Sequence, residues 1–256
     1  MISKANKIIL ALILCFAVFG TVISMEASET QSTEKPQTET TAAADPEKDP
    51  EEDPEEDDET EAESEEEITI GSIVTVGSLK YMVTSKSAVA VKSAIAVSSA
   101  LAIPEMVTIQ GRSYRVTNIQ NRAFKGNTTI TSLKIGRNMK RIGIMAFMNC
   151  TNLKTVTIGN DVEMISKAAF RGCTALKRVT IGSGLRKIGI RAFFQDKKLA
   201  QIAIKSSQLA GVELNAVRGI SENAVILVPG TAVESSKALF TETSGFLPTM
   251  KVNAIE

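Results

Sequence analysis

Two cysteines, Cys150 and Cys173, stand 23 residues apart and are the first side chains here whose type and spacing could do chemistry. A thiol pair can form a disulfide, hold a metal or supply a nucleophile. The chain has no histidine, so no imidazole can serve as base, proton shuttle or metal ligand. A zinc site needs more ligands than two thiols, and none lies near them in the sequence. The third cysteine, Cys15, sits in an apolar amino-terminal run. Among carboxylates beyond residue 67 the closest pair is Asp161 and Glu163. Paired carboxylates are the minimum equipment of a glycan hydrolase, but a lone local pair is ordinary surface chemistry. The phosphate-loop, dinucleotide and nucleophile-elbow fingerprints are all missing from the sequence. No catalytic, cofactor-binding or metal-binding residue is assigned, and recognition is expected instead of catalysis, with a glycan hydrolase the least favoured class.

The two cysteines belong to a repeat. Ala-Phe pairs stand at Ala123-Phe124, Ala146-Phe147, Ala169-Phe170 and Ala192-Phe193, each 23 residues after the last. Ile119, Ile142, Ile165 and Ile188 precede the phenylalanines in constant register, and Ile130, Leu153, Leu176 and Leu199 follow them. Further on come Leu133, Val156, Val179 and Ile202, then Ile135, Ile158, Ile181 and Ile204. Five apolar columns in step over four repeats predict coils that stack, because one coil cannot bury its own apolar edge. Val156 and Ile158 alternate with threonines, the period of a strand buried on one face. Gly136, Gly159 and Gly182 then supply turns. The phenylalanines Phe124, Phe147, Phe170 and Phe193, with Ile142, Ile165 and Ile188, are expected in the core. Stacked coils bring the Cα atoms of Cys150 and Cys173 to about 5 Å, inside the disulfide window of about 4.4–6.8 Å. A small side chain closing a turn accounts for both cysteines equally well, and reduced thiols are expected.

The pattern Leu-x-x-Val-x-Ile-Gly followed by Ile-Gly-x-x-Ala-Phe-x-x-Cys resembles the BspA-type bacterial leucine-rich repeats. The resemblance covers roughly residues 68–251. It implies a secreted or surface-bound protein, in some members an adhesin for host or bacterial partners, and no shared catalytic site. The expected fold is a repeat solenoid of 23-residue leucine-rich-repeat coils with stacked parallel strands. A β-rich amino-terminal cap and a short helical carboxyl-terminal cap close it, and a disordered tail precedes it.

Five segments follow. Residues 1–24 have a basic start (Lys4, Lys7) and a 16-residue apolar run from Ile8 to Ile23, which describes a secretory signal cleaved after Ser24 or Ala27. An uncleaved membrane anchor is the alternative. Leu14 before Cys15 argues against a lipoprotein signal. Residues 25–67 form an acidic spacer, with 20 Asp and Glu against two Lys from Glu26 to Glu67. Like charges and few apolar residues predict an extended tether. Residues 68–118 hold a β-rich cap and an irregular first repeat, with strands around Gly77-Ser78 and a hairpin around Gly111. Regular repeats occupy 119–210. Residues 211–256 hold a degenerate last repeat and the cap. There Ala216-Val217 stands one residue late, Val225 and Leu227 are read as the inward strand positions, and Val233 to Phe240 reads as a short helix. Leu247-Pro248-Thr249-Met250 lacks the glycine and apolar tail of a sortase signal, so covalent wall anchoring is not expected.

Outward strand positions form the candidate binding face: Ser132, Lys134, Thr155, Thr157, Arg178, Thr180, Gln201 and Ala203. From residue 68 onward 25 Lys and Arg face nine Asp and Glu. Arg141, Met164 and Lys187 share one column, and Lys154 and Lys177 another. That excess reads either as a solvated surface balanced by the acidic spacer or as attraction to anionic wall polymers, acidic glycans or membrane surfaces. The expected partner is a protein or glycan at the cell surface. Nucleic acid is set aside because export removes it and aromatic residues number only 11. A membrane enters only through the amino-terminal segment.

Overall fold

Where the sequence alternates apolar and polar residues, the chain builds two ladders of parallel strands, one on each side of a single core. A computed structural model describes residues 68–256. The expected signal segment and acidic spacer lie outside the described residues.

The described chain opens with β1 (Ile73–Val76) and β2 (Leu79–Ser85), an antiparallel hairpin that turns through Gly77 at positive φ. Strand β3 (Ala88–Ala94) returns antiparallel to β2 and pairs in parallel with β6. Its small residues bury Val89 and Val91 completely. Strand β4 (Ala100–Ile103) is the first rung of the second ladder. A hairpin of β5 (Met106–Ile109) and β6 (Arg112–Ile119) follows around Gly111. The expected β-rich cap and inserted hairpin are both present.

Each later coil contributes one long and one short strand, except the last, which adds a long strand alone. The long strands are β7 (Ser132–Ile135), β9 (Thr155–Ile158), β11 (Arg178–Ile181), β13 (Gln201–Ile204) and β15 (Val225–Val228). The short ones are β8 (Arg141–Ile142), β10 (Met164–Ile165), β12 (Lys187–Ile188) and β14 (Gly211–Val212). The long strands, with β4 and a final β16 (Lys251–Ala254), make a seven-stranded sheet in the order β16-β15-β13-β11-β9-β7-β4. The short strands continue the amino-terminal sheet in the order β1-β2-β3-β6-β8-β10-β12-β14, with β5 paired to β6. The result is a β-solenoid of about seven turns, each of roughly 23 residues.

In the core, at the turns that follow β6 and the short strands, the phenylalanines form a continuous stack. Ring centroids of Phe124, Phe147, Phe170 and Phe193 are spaced 5.0, 5.3 and 5.5 Å, with planes within 4° of parallel. The spacing matches the rung repeat, because the backbones that carry the rings are hydrogen-bonded at that interval. Phe147 donates its N–H to Ala169, and Phe170 donates to Ala192. Ile142, Ile165 and Ile188 are fully buried beside them. At Gly159 a Cβ would collide with the carbonyl of Gly136, so glycine there is required by the closeness of adjacent coils.

One expectation needs correcting. Ile202 pairs with Ile226, not with Val225, and Gln201 pairs with Val225. Ile226 and Val228 are therefore the buried residues, while Val225 and Leu227 face outward and are only half-covered. The cause lies in the turn before β14. Five residues separate β11 from β12, whereas six separate β13 from β14. The extra residue shifts everything after it, and a strand displaced by one residue turns its other face inward. Ser206 anchors the enlarged turn. It is fully buried, its Oγ donates to the Leu185 carbonyl at 2.6 Å, and it accepts the Gln208 N–H at 3.0 Å.

The expected helix is α1 (Val233–Leu239). The chain continues past it to lay β16 in parallel on β15, a rung with no repeat signature to announce it. Among the described residues no helix is long and apolar enough to cross a membrane.

Candidate functional site

Strand register assembles the candidate face. Ser132, Thr155, Arg178, Gln201 and Val225 form one row across the seven-stranded sheet. Lys134, Thr157, Thr180, Ala203 and Leu227 form the next. Alternation points these side chains away from the core, and Lys134, Thr157 and Arg178 are exposed while the others are half-covered. At one end of this face Lys134, Thr157, Thr180 and Lys205 line a shallow pocket of about 230 Å³, with Glu105 and Gly159. The face is mixed in polarity and held by backbone pairing on every rung, which suits contact with a broad partner surface.

The chemistry-bearing residues have structural partners. Cys150 and Cys173 are fully buried and not joined to each other. The Cys150 thiol donates to the carbonyl of Phe124, and the Cys173 thiol to that of Phe147, each at 3.2 Å. Each thiol thus ties one coil to the one before it. Hydrogen bonding with Cys150, burial and the neighbouring Asp196 all push the Cys173 thiol up, so it stays neutral. Asp161 accepts the N–H of Asn138 at 3.0 Å, and Glu163 pairs with Lys140 at 3.1 Å. The two nearest carboxylates therefore engage different groups of the preceding coil. Glu213 repeats the device, accepting the N–H of Ile190 at 3.0 Å and pairing with Lys187 at 2.6 Å. Among the described residues no group of three or more Cys, Asp and Glu could hold a metal ion.

Asp196 continues the cysteine column and is completely buried. Burial pushes its carboxyl well above the usual range, against the backbone N–H groups of Cys173 and Gly172, which favour the charged form. Its place in the column was legible in the sequence; its complete burial was not.

The other sheet carries a feature that spacing alone did not disclose. A groove of about 780 Å³ crosses the short strands, lined by Asn118, Gln120, Arg141, Met164, Arg186 and Lys187 among others. The column Arg141, Met164, Lys187 could be read from the repeat, and strand pairing confirms it. The groove could not, because Thr84 of β2 and Ala90 of β3 also line it and neither belongs to a regular coil. At the Ala-Phe corner, Arg171 and Arg191 hold their guanidinium groups 5.3 and 5.7 Å from the centre of the half-covered Phe194 ring.

Comparison with known proteins follows the architecture. The model of the BspA type leucine rich repeat region matches residues 106–224 in six copies. No curated protein matches the chain. Among solved structures, a leucine-rich repeat protein from Bacteroides capillosus is 28% identical over 44% of this chain and 84% of that one, with a TM-score of 0.42. The T. pallidum leucine rich repeat protein is 17% identical over 71% of this chain and 85% of its own, with a TM-score of 0.55. The pneumococcal vaccine antigen PcpA is 20% identical over 74% of this chain, which spans 51% of that protein, with a TM-score of 0.51. At those identities the last two bear on the fold alone, and they share the leucine-rich-repeat solenoid. Six matched copies, the stacked Phe column and the paired ladders agree: the repeat region of this chain belongs to the BspA-type bacterial leucine-rich repeats.

Proposed function

We propose that this protein is an exported, non-catalytic recognition module that binds a protein or glycan outside the cell through its repeat surface, in the manner of an adhesin. The observation that carries the reading is the in-register outward face of the seven-stranded sheet, where Thr155, Arg178 and Gln201 line up on hydrogen-bonded rungs. Such a face is rigid before a partner arrives, so little ordering entropy is lost on binding. The carboxylates that a hydrolase would need are bonded to neighbouring coils instead. The apolar amino-terminal run and the membership in a family of surface repeat proteins support export.

A second reading has its own support in the 25 basic against nine acidic residues from residue 68 onward. On that reading the protein is retained at a cell wall by charge, without a discrete partner. Binding of the secreted chain to matrix proteins, glycans and wall polymers at about 0.15 M and about 0.5 M salt separates the two, because screening removes diffuse attraction. The recognition reading expects saturable binding to one ligand that survives high salt and is weakened by Thr157→Arg. Weak binding to every anion, lost at high salt, would establish retention by charge.

A further inference from the structure

The groove on the short-strand sheet combines three kinds of group along one line. Two guanidinium groups, Arg141 and Arg186, are exposed and have no ion-pair partner among the described residues. The lysines beside them are already engaged, Lys140 with Glu163 and Lys187 with Glu213. Asn118, Gln120 and Asn121 bring amides to the lining. Asn118 spends only its Nδ2, on Thr117, and Asn121 only its Oδ1, on the Ile144 N–H. Met164 lies half-covered in the column between Arg141 and Lys187.

We propose that this groove is a second binding site, separate from the seven-stranded face, for a linear acidic polysaccharide whose sugars carry carboxylates. A guanidinium presents paired donors that match a planar carboxylate. Free amide donors and acceptors match sugar hydroxyls, and the thioether of Met164 offers an apolar patch to a pyranose face. Rungs lie about 4.8 Å apart, so the free guanidinium groups of Arg141 and Arg186, carried two rungs apart, present charge at an interval of about 9.5 Å. One sugar unit per rung would bring alternate carboxylates onto that pair. The lining contains no aromatic ring, which removes the stacking platform that a single-stranded nucleic acid uses. An acidic peptide could also pair with the amides through its backbone, and the glutamate hexamer in the test separates it from the sugar polymer.

The test is calorimetric titration of the full chain with a galacturonic acid hexamer at about 0.15 M salt. One saturable site is expected, weakened about tenfold or more by Arg141→Gln or Arg186→Gln and by methyl esterification of the sugar. Arg178→Gln, on the opposite sheet, leaves it unchanged. The proposal is overturned by a lack of saturable binding, by equal affinity for the methyl ester or for a glutamate hexamer, or by an equal loss in Arg178→Gln. Because the site is separate from the seven-stranded face, none of these outcomes bears on Thr157→Arg and the partner bound there.

Discussion

One oxygen of Asp196 accepts the backbone N–H of Cys173 at 2.7 Å, across one coil, while the other has no hydrogen-bond partner. The same column holds Cys150 and Cys173, whose thiols instead reach back to carbonyl groups. A neutral thiol costs little to bury, but an ionised carboxylate there costs a great deal. Burial therefore favours the protonated form of Asp196.

The pH dependence follows from that raised value. Below the unfolded pKa of about 3.9, Asp196 is protonated in both states and costs nothing by charge. As the pH rises above that value toward the raised folded one, the unfolded chain gains by ionising and stability falls. Asp196→Asn keeps the accepting oxygen and cannot ionise. The variant should exceed the parent in stability at pH 7, with the difference shrinking at pH 4. Urea midpoints for both proteins at the two pH values measure it, and an equal difference at both would contradict a retained proton.

Truncating the ring ladder should be costly. Phe147→Ala or Phe170→Ala removes a fully buried ring from the middle of the stack, with an expected loss of about 3–5 kcal/mol. Phe194→Ala removes a half-covered ring held only at a corner by Arg171 and Arg191, and about 1 kcal/mol is expected. Comparable losses in thermal or urea unfolding would show that the ladder is not the core.

Coil spacing is tested by two glycines. Gly159→Ala drives a methyl into the Gly136 carbonyl and should cost about 1–3 kcal/mol. Gly230→Ala meets open space and should stay within about 0.5 kcal/mol of the parent. Should both variants unfold at the parental midpoint, adjacent coils are too far apart for a methyl at residue 159 to meet the Gly136 carbonyl.

The thiols should be silent until the chain unfolds. Neither Cys150 nor Cys173 exposes surface, so alkylating reagent should leave both unmodified in the native protein. Both should react in denaturant without any reductant. Mass spectrometry showing modification only after reductant would reveal a disulfide.

Much of this architecture is written in one dimension, for a physical reason. A solenoid buries the same position of every coil, so a period of 23 residues exposes the inward columns without any long-range inference. Phe147, Ile165 and Val179 could be placed in the core from spacing alone, and so could the outward row of Thr155, Arg178 and Gln201. Where the period slips, that legibility ends. The residue inserted between β13 and β14 already shows in the late Ala216-Val217, but that the slip persists and turns Ile226 and Val228 inward was shown by strand pairing. Strand β16 has no Ala-Phe pair or glycine to mark it, because an end rung is covered on one side and its composition is less constrained. The groove needed the tertiary structure most. Its Arg141 and Lys187 stand in a readable column, but Thr84 and Ala90 come from antiparallel strands outside the repeat. Local patterning determines which face of a rung is buried; where a cap curves against the stack depends on contacts between residues far apart in the chain.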